Sequence, residues 1–247
     1  MDDIDIAFLT EDKVKADVLI EGLPGIGQVG KLVVEHLIDE LGAEQIVDIY
    51  SIYFPPQVLI EPGGVARLPS NEIYLWKGEE ISIAFLIGDF QSTSNEGHYL
   101  LSEAYLDIAE ELGVKRVYTL GGFGVGHLVE EPHVLGAVND ERLIEEVTTA
   151  GGVMTGDEPG GIVGAAGLLL GLSAERNMDG ICLMGETSGY LVDPKSAREV
   201  LLVLARLLGI EVDPTRLTEH AAEMEKIIAR YEEMERGKED ESLNYIG

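Results

Sequence analysis

Cysteine and basic side chains are scarce in this chain of 247 residues. Its one cysteine, Cys182, excludes an intrachain disulfide and a thiolate metal site, and its place in the apolar run 181–184 predicts a buried structural thiol. Lys and Arg number 17 against 46 Asp and Glu, which gives a formal net charge of −29. Because such a surface repels phosphates, nucleic acid is not an expected partner. The absence of a polybasic segment argues likewise against binding to a membrane surface.

Long apolar runs and a basic leader are missing as well. No stretch reaches the roughly 18 residues that are needed to span a bilayer. Residues 1–5 are acidic where a signal peptide would be basic. We therefore expect a cytoplasmic protein. The length suits one α/β domain, or a domain with an appendage, and allows a sizeable core.

Short apolar segments alternate with helical patterns, which predicts an α/β fold with a mainly parallel sheet flanked by helices. The predicted strands lie at 4–9, 17–21, 45–53, 57–61, 72–76, 81–87, 115–120 and 180–185. The predicted helices lie at 28–41, 95–112, 140–149, 161–171, 194–208 and 214–236. The polar turn at 77–80 indicates a hairpin over 73–87.

The predicted organisation is an α/β core domain at 1–212, a C-terminal amphipathic helix at 213–236 and a flexible tail at 237–247. The helix at 194–208 is apolar nearly all round, which is typical of a helix in the core or at an oligomer interface. The apolar stripe on the C-terminal helix indicates docking on the chain's own body or contact with another subunit. From these surfaces we expect a closed homo-oligomer. Gly160, Gly164, Gly167 and Gly171, spaced by four, three and four residues in the helix predicted at 161–171, also predict a groove on one helical face.

Two glycine-rich turns each follow a predicted strand. Residues 25–30 read G-x-G-x-x-G, the spacing with which a backbone approaches the pyrophosphate of a dinucleotide. Pro24 and the mid-strand position of Asp48 break this fingerprint, which needs a glycine at the strand end and a carboxylate at the end of the next strand. We favour a tight turn that packs the next helix on the sheet, and we expect no cofactor. The alternative is a small-molecule or nucleotide-binding α/β enzyme that holds an anion at Gly25–Gly30 or at the second turn, 121–126.

One stretch has the chain order of a hydrolase triad. The run 185–189 follows a predicted strand with G-x-T-x-G spacing, and Asp193 and His220 follow it. The strand–turn–helix context of a nucleophile elbow is missing, because residues 189–192 intervene before the next helix. We assign no catalytic residue from this pattern.

Two further loops carry polar side chains. His127 and His133 do not have the His-Glu-x-x-His spacing of a zinc helix, so we assign no metal ligand. Asp89, Gln91 and Glu96 fill a loop at the carboxyl end of a predicted strand, where open α/β sheets bind ligands. Nothing in their pattern gives any of the three an acid, base or nucleophile role.

Several short segments occur in one order along most of the chain. They are Gly22-Leu23-Pro24-Gly25-Ile26-Gly27 through Gly30, Gly88-Asp89-Phe90-Gln91, the run from Gly113-Val114 to Tyr118-Thr119-Leu120-Gly121-Gly122, the run 160–170, and Gly185-Glu186-Thr187. Together they resemble the archaeal proteasome assembly chaperone family. The resemblance spans roughly 18–245 and implies a fold related to nucleoside phosphorylases, without demonstrated catalysis. It also implies homo-oligomers that help to assemble the α-rings of the 20S proteasome without ATP.

The end of the chain carries the predicted partner site. Residues 236–242 are polar and charged, hence flexible, yet apolar side chains follow them, which predicts a short peptide ligand for a partner. The predicted partner-binding residues are Leu243, Tyr245, Ile246 and Gly247. Members of the proteasome assembly chaperone family often end in a hydrophobic residue, a tyrosine and one further residue of any type. The resemblance implies that such a tail enters pockets between proteasome α-subunits, where its terminal carboxylate pairs with a lysine. In this chain Tyr245 is third from the end rather than second.

Overall fold

The structure, a computed structural model, describes residues 3–10, 13–155, 160–224 and 226–227. The strands in these ranges are β1 (Ile4–Phe8), β2 (Val18–Glu21), β3 (Glu44–Ser51), β4 (Leu59–Ile60), β5 (Ala66–Arg67), β6 (Asn71–Lys77), β7 (Ser82–Gly88), β8 (Arg116–Gly124), β9 (Val134–Val138), β10 (Val153–Met154) and β11 (Asp179–Thr187). The α-helices are α1 (Val29–Leu41), α2 (Asn95–Leu112), α3 (Ile144–Thr149), α4 (Ala165–Glu175) and α5 (Pro194–Leu208), and residues 215–224 are also helical.

Nine strands form one sheet in the order β1-β3-β6-β7-β2-β8-β11-β9-β10, and β4 pairs with β5 in a separate hairpin. The central strands β7, β2, β8 and β11 are parallel, whereas β1, β3, β6 and β7 pair antiparallel. Strand β9 is antiparallel to β11 and parallel to β10. The α/β class is thus confirmed, but the prediction of a mainly parallel sheet is wrong. Within the described ranges the sheet has four parallel and four antiparallel pairings.

Connection length explains the mixed sheet. Strands β6 and β7 are joined by a tight turn in which Gly78 N–H donates to the carbonyl oxygen of Ile81 at 3.0 Å, which confirms the predicted hairpin. A turn this short can join only antiparallel neighbours, because a parallel pair needs a crossover of a dozen residues or more. Strand β9 follows β8 after a loop without a helix, and it enters the sheet in the opposite direction to its neighbour β11.

Helices cover both faces of the sheet and close two apolar cores. On one face, α1, α3 and α5 pack over side chains that include Ile20, Tyr118 and Leu183. On the other face, α2 and α4 pack over side chains that include Leu19 and Val117. Successive side chains of a strand point to opposite faces, so that neighbours in β2 belong to different cores. Strands buried on both faces have nearly continuous apolar runs, as β2 and β7 do.

Side-chain caps and left-handed glycines set the ends of α2 and α5. Ser94 Oγ and Asp193 Oδ1 each accept a hydrogen bond at 3.0 Å from the N–H three residues further on. The helices end at Gly113 and Gly209, whose φ angles are 86° and 67°. Both helices have the bounds that the sequence predicts, because cap and stop signals are local.

Helix α4 begins later than the predicted helix at 161–171. Gly164 precedes it with φ 81° and ψ −161°, which is not a helical conformation, so Gly160 and Gly161 lie outside the helix. Within it, Gly167 packs against the backbone of Ile162, whereas Gly171 has nothing within 4 Å of its side-chain position. The prediction of one glycine groove along this helix is therefore wrong.

Other boundaries also differ from the prediction. The glycine segment predicted as a turn at 121–126 is largely strand, because β8 continues to Gly124, which pairs with Thr187 of β11. The strand predicted at 57–61 is reduced to β4, and β5, β9 and β10 are not predicted at all. Strands β5 and β10 have two residues each, too few for a periodic pattern.

Helix α5 is amphipathic rather than apolar all round. Val200, Leu201 and Leu204 are fully buried against the sheet face covered by α1, whereas Arg206 on the other side is exposed. The apolar residues of α5 therefore complete the chain's own core. These residues are therefore not available for contact with another subunit.

The C-terminal helical segment 215–224 docks on the body of the chain. Leu217 belongs to the core beneath α1 and α5, and Arg216 pairs with Asp39 of α1 at 2.6 Å. Most of the predicted helix 213–236 beyond this segment lies outside the described residues. In the part of the chain that the structure covers, no helix has both the length and the apolar character required to cross a membrane.

Candidate functional site

The carboxyl ends of β7, β2, β8 and β11 meet at one edge of the sheet, and backbone hydrogen bonds tie together the loops that follow them. The carbonyl oxygen of Gly27, after β2, accepts from Asp193 N–H at 2.9 Å. The N–H of Val125, after β8, donates to the carbonyl oxygen of Thr187, at the end of β11, also at 2.9 Å. We call this surface the carboxyl-edge face, which comprises loops 22–28, 89–94, 125–133, 160–164 and 188–193.

Gln91 joins three of these loops through its side chain. Its Oε1 accepts from Ala165 N–H at 3.0 Å, and its Nε2 donates to the carbonyl oxygen of Pro24 at 2.9 Å. A side chain at Gly164 would begin 2.6 Å from Gln91 Oε1, so glycine leaves room for this contact. The amide thus holds the loop after β7, the turn after β2 and the start of α4 in one arrangement.

The glycines of the first turn are required by the chain's own packing. A methyl group at Gly30 would overlap the carbonyl oxygen of Leu120 in β8, and one at Gly22 would overlap the carbonyl oxygen of Gly30. A methyl group at Gly122 would in turn overlap the carbonyl oxygen of Ile26. The glycine spacing therefore lets α1 and its preceding turn approach the sheet closely. This contact explains the spacing without a bound pyrophosphate.

A row of polar side chains is buried across the central strands beneath this face. Glu21, Thr119 and Cys182 lie in register on β2, β8 and β11, and each is at most 1% exposed. Glu21 Oε1 accepts from Leu23 N–H at 2.9 Å, but its Oε2 has no hydrogen-bond partner among the described residues. A buried polar atom without a partner is costly, more so if it is charged.

Burial determines the protonation of this row. It raises the pKa of Glu21 to about 8, although the hydrogen bond from Leu23 N–H acts in the opposite direction. Burial also raises the pKa of the Cys182 thiol to about 12. At neutral pH the carboxyl group is therefore mostly protonated and the thiol is not a nucleophile. The prediction that Cys182 is buried is confirmed.

The two histidines of the loop after β8 have separate partners. His133 Nδ1 lies 2.8 Å from Glu186 Oε2, which also accepts from His133 N–H at 3.0 Å. His127 Nδ1 lies 3.1 Å from the carbonyl oxygen of Val125. The backbone hydrogen bond from His133, together with the two imidazoles, lowers the pKa of Glu186. No cluster of three potential metal ligands occurs within the described ranges.

The hydrolase-like order does not produce a catalytic arrangement. Thr187 is fully buried, and its Oγ1 would lie 2.9 Å from a methyl group at Gly27. Asp193 is the N-cap of α5, and His220 is exposed on the helical segment 215–224. A buried hydroxyl, a capping carboxylate and an exposed imidazole do not form a nucleophile and its base.

Asp89 and Glu96 do not join Gln91 in the carboxyl-edge contacts. Arg67 of β5 forms two hydrogen bonds with Asp89, at 2.5 and 2.8 Å, and Ser70 N–H donates a third at 3.0 Å. Although burial raises the pKa of Asp89, these bonds lower it below its ordinary value. Glu96 lies in the first turn of α2, where a carboxylate interacts favourably with the helix dipole.

The carboxyl-edge face has acidic side chains and neither Lys nor Arg in any of its loops. Residues 16–30, 78–114, 117–141, 143–175 and 177–194 contain neither residue. Glu130 and Glu131 are exposed on the loop after β8. A phosphate here would meet this negative charge with no Lys or Arg in the loops themselves, since the nearby Arg67 already binds Asp89. This composition disfavours binding of an anion by side chains of these loops.

The residues predicted to bind a partner, Leu243, Tyr245, Ile246 and Gly247, lie outside the described residues. Glu21 is not among the residues that the sequence patterns single out. A carboxylate that closes an apolar strand just before a glycine turn is the signal that could have indicated it.

Comparison with known proteins identifies the family. The model of the PAC2 family matches residues 19–232. The chain belongs to the PAC2 family. One relative, the Methanocaldococcus jannaschii protein MJ1210, is 39% identical over 239 residues, which are 93% of this chain and 92% of that protein.

Two solved structures extend the comparison of this PAC2 protein. Pyrococcus furiosus PbaB, described as an archaeal proteasome activator, superposes with a TM-score of 0.90 at 41% identity and covers 94% of this chain and 100% of its own. Pyrococcus furiosus PbaA, described as an archaeal homolog of proteasome-assembly chaperone, has a TM-score of 0.79 at 26% identity and covers 98% and 97%. The resemblance to the archaeal proteasome assembly chaperones is thereby confirmed.

Proposed function

We propose that this PAC2 protein binds the 20S proteasome as an ATP-independent assembly chaperone or activator. The observation that carries the proposal is the match to PbaB over 94% of the chain at 41% identity. The site geometry is in keeping with a non-catalytic role, because Gly22, Gly30 and Gly122 serve internal packing and the one thiol is buried. Binding of purified proteasome α-subunits to the full-length protein is the direct test.

The C-terminal tail is the part that we propose to contact the α-subunits. Its apolar residues follow a charged spacer that has no apolar side chain to bury. Each large apolar side chain gains roughly 1.5–3 kcal/mol on full burial, and ordering the tail offsets part of that gain. One tail should bind weakly, and several tails on one oligomer should bind with useful avidity.

Deletion of residues 243–247 should weaken capture of proteasome α-subunits at least about tenfold, a loss of about 1.4 kcal/mol. Tyr245→Ala should reproduce much of that loss, since it removes the largest apolar side chain of the tail. The melting temperature should stay unchanged, because the deletion leaves the two apolar cores intact. Surface-bound α-subunits titrated with each variant provide the measurement.

The control for this deletion is Asp240→Asn in the spacer, which changes tail charge and keeps the apolar end. Its capture should match the parent within about a factor of two, since exposed charges contribute little. If the truncated protein captures α-subunits as well as the parent does, the tail is not the binding element.

We propose the β4–β5 hairpin as the self-association surface. The exposed apolar side chains of this hairpin and of the segments beside it are Ile52, Val58, Ile60, Val65 and Leu68, each at least half exposed. Ile52, Val58 and Leu68 line a surface depression of about 560 Å³, together with other residues of 51–58 and Pro69. The nearby charges are already paired, since Arg67 binds both Glu61 and Asp89. Two copies can therefore meet here without strong repulsion, despite the net charge.

The double variant Ile60→Asp, Val65→Asp should convert the oligomer to a 26.8 kDa monomer. Each substitution puts a carboxylate where two apolar surfaces would meet, and burying an unpaired charge is costly. Sedimentation at micromolar concentration measures the mass. Tyr99→Asp, at an exposed position on α2, is the control and should keep the parent mass. A parent that sediments as a monomer would contradict the self-association proposal itself.

A further inference from the structure

Strand β1 forms one edge of the nine-stranded sheet, and within the described ranges it pairs only with β3. Ile52 N–H donates to the carbonyl oxygen of Asp3 at 3.2 Å, and Leu9 N–H donates to that of Ile46 at 2.9 Å. Hydrogen-bonded and non-hydrogen-bonded residues alternate along an antiparallel pair. The odd-numbered residues of β1 therefore bond to β3, and the N–H and C=O groups of its even-numbered residues point to the open edge.

Ile6 and Phe8 make one face of this edge apolar, since alternate residues of a strand point to the same side. Ile6 pairs with Ile49 of β3. Phe8 pairs with Val47 of the same strand, and both of these partners are fully buried in the core that α2 and α4 cover. Ile6 and Phe8 themselves are 40% and 42% exposed. The helical layer thus covers β3 and leaves the apolar rows uncovered where they reach β1.

The opposite face of the sheet is acidic at this edge. Asp5 and Ala7 point to it, because they alternate with the apolar residues of β1. Ala7 pairs with Asp48 of β3, and Asp48 pairs in turn with Glu72 of β6, so register places these carboxylates on one surface. The nearby Arg67 already pairs with two other carboxylates.

An extended polypeptide fits the open backbone and both faces of this edge. Its N–H and C=O groups would continue the ladder, its apolar residues would lie beside Ile6 and Phe8, and alternate basic residues would lie on the acidic face. We propose that β1 binds, as an added antiparallel strand, a partner segment in which large apolar residues alternate with Lys or Arg. This interaction goes beyond the proposed proteasome contact and does not involve the C-terminal tail.

Charge argues against two other occupants of the open edge. In a second copy, antiparallel pairing of two β1 strands centred on Ile6 would make the two Asp5 carboxylates diagonal neighbours on one face. The residues that flank the strand at 2–3 and 11–12 are also all acidic. The chain's own apolar end at 243–247 contains no Lys or Arg and follows the acidic run 239–241. Neither occupant supplies the basic residues that the acidic face would pair with.

Fluorescence anisotropy of a labelled peptide tests the proposal with the full-length protein and no proteasome subunit present. The probe is a short peptide in which valine and lysine alternate. Methylation of every valine backbone nitrogen should raise the dissociation constant at least about tenfold, because in an antiparallel ladder the valines opposite Ile6 and Phe8 donate to β1. Methylation of every lysine backbone nitrogen should change it by less than about threefold, since these N–H groups point away from β1.

Substitutions in β1 test the two faces separately. The double variant Ile6→Thr, Phe8→Thr should raise the dissociation constant about tenfold, because threonine keeps the strand propensity and removes apolar surface. Asp5→Asn should raise it roughly threefold at low salt and reduce its dependence on ionic strength. The matched controls at other exposed positions are Tyr99→Thr on α2 and Glu79→Gln in the β6–β7 turn, which should leave the affinity unchanged.

Ile6→Pro guards against a folding defect of the double variant. It removes an N–H that faces the open edge and leaves the hydrogen bonds to β3 in place, so binding should weaken while the melting temperature stays unchanged. The proposal is overturned if the valine-methylated peptide binds as well as the unmethylated one, or if a peptide with glutamate in place of each lysine binds equally well. It is also overturned if the controls weaken binding as much as the β1 variants. A change in the oligomer's mass in the β1 variants would overturn it too, since the occupant would then be a second copy.

Discussion

Gly30→Ala should lower the free energy of unfolding by about 3 kcal/mol, at the upper end of the cost of overpacking a core. The added methyl group would overlap the carbonyl oxygen of Leu120 and lie 3.1 Å from its Cβ. Both contacts are to a central strand that is hydrogen-bonded on each side, so neither α1 nor β8 can yield without loss of packing. Urea unfolding at constant pH provides the measurement, and for a chain of this size the melting temperature should fall by roughly 6–12 °C.

Gly171→Ala is the matched control, because it makes the same substitution in another helix. Nothing lies within 4 Å of its side-chain position, and the residue is exposed in the interior of α4. Replacing an exposed helical glycine by alanine should raise the free energy of unfolding by roughly 0.5–1 kcal/mol. The two substitutions should therefore have opposite signs. Equal effects would mean that the close approach of α1 to β8 is not what requires glycine at position 30.

Local signals predicted the helices well where a cap residue and a stop glycine directly flank the helix in sequence. Helices α2 and α5 have caps and terminal glycines that need no tertiary context. The predicted start of α4 was wrong because the conformation of Gly164 depends on Gln91, which is 73 residues away in the chain. The prediction of a mainly parallel sheet was wrong for the same reason, since strand direction depends on pairing partners that no single segment encodes.

The candidate site was predictable in position and less so in detail. The loop 88–91 was expected at the carboxyl end of a parallel strand, and Gln91 does connect the loops there. Asp89 was expected beside it, but its carboxylate pairs with Arg67 on β5, a strand too short to predict. The sequence alone shows that these loops contain no Lys or Arg. Only the fold shows that the basic-free segments converge on one face.

Glu21→Gln should stabilise the protein at pH 8 and above and change its stability little near pH 5. Burial raises the pKa of Glu21 from 4.5 to about 8, so between these values the folded state holds one proton more than the unfolded state. Stability therefore falls as the pH rises through this window, by about 1.4 kcal/mol per pH unit. The penalty is on the order of 5 kcal/mol when the carboxylate is fully charged. Glutamine keeps an acceptor for Leu23 N–H and carries no charge at any pH.

The difference in unfolding free energy between Glu21→Gln and the parent, measured by urea unfolding from pH 5 to 9, isolates this one group. The titratable neighbours that Glu21 influences are Tyr105 and Cys182, and burial raises the pKa of both, the thiol to about 12, so neither titrates in the window. Glu79→Gln, at an exposed position, controls for the loss of one negative charge and should stay within about 0.5 kcal/mol of the parent throughout. A difference for Glu21→Gln that does not grow with pH would show that the folded protein gives this carboxylate water or a cation. The row of Glu21, Thr119 and Cys182 would then be an accessible site rather than a part of the core.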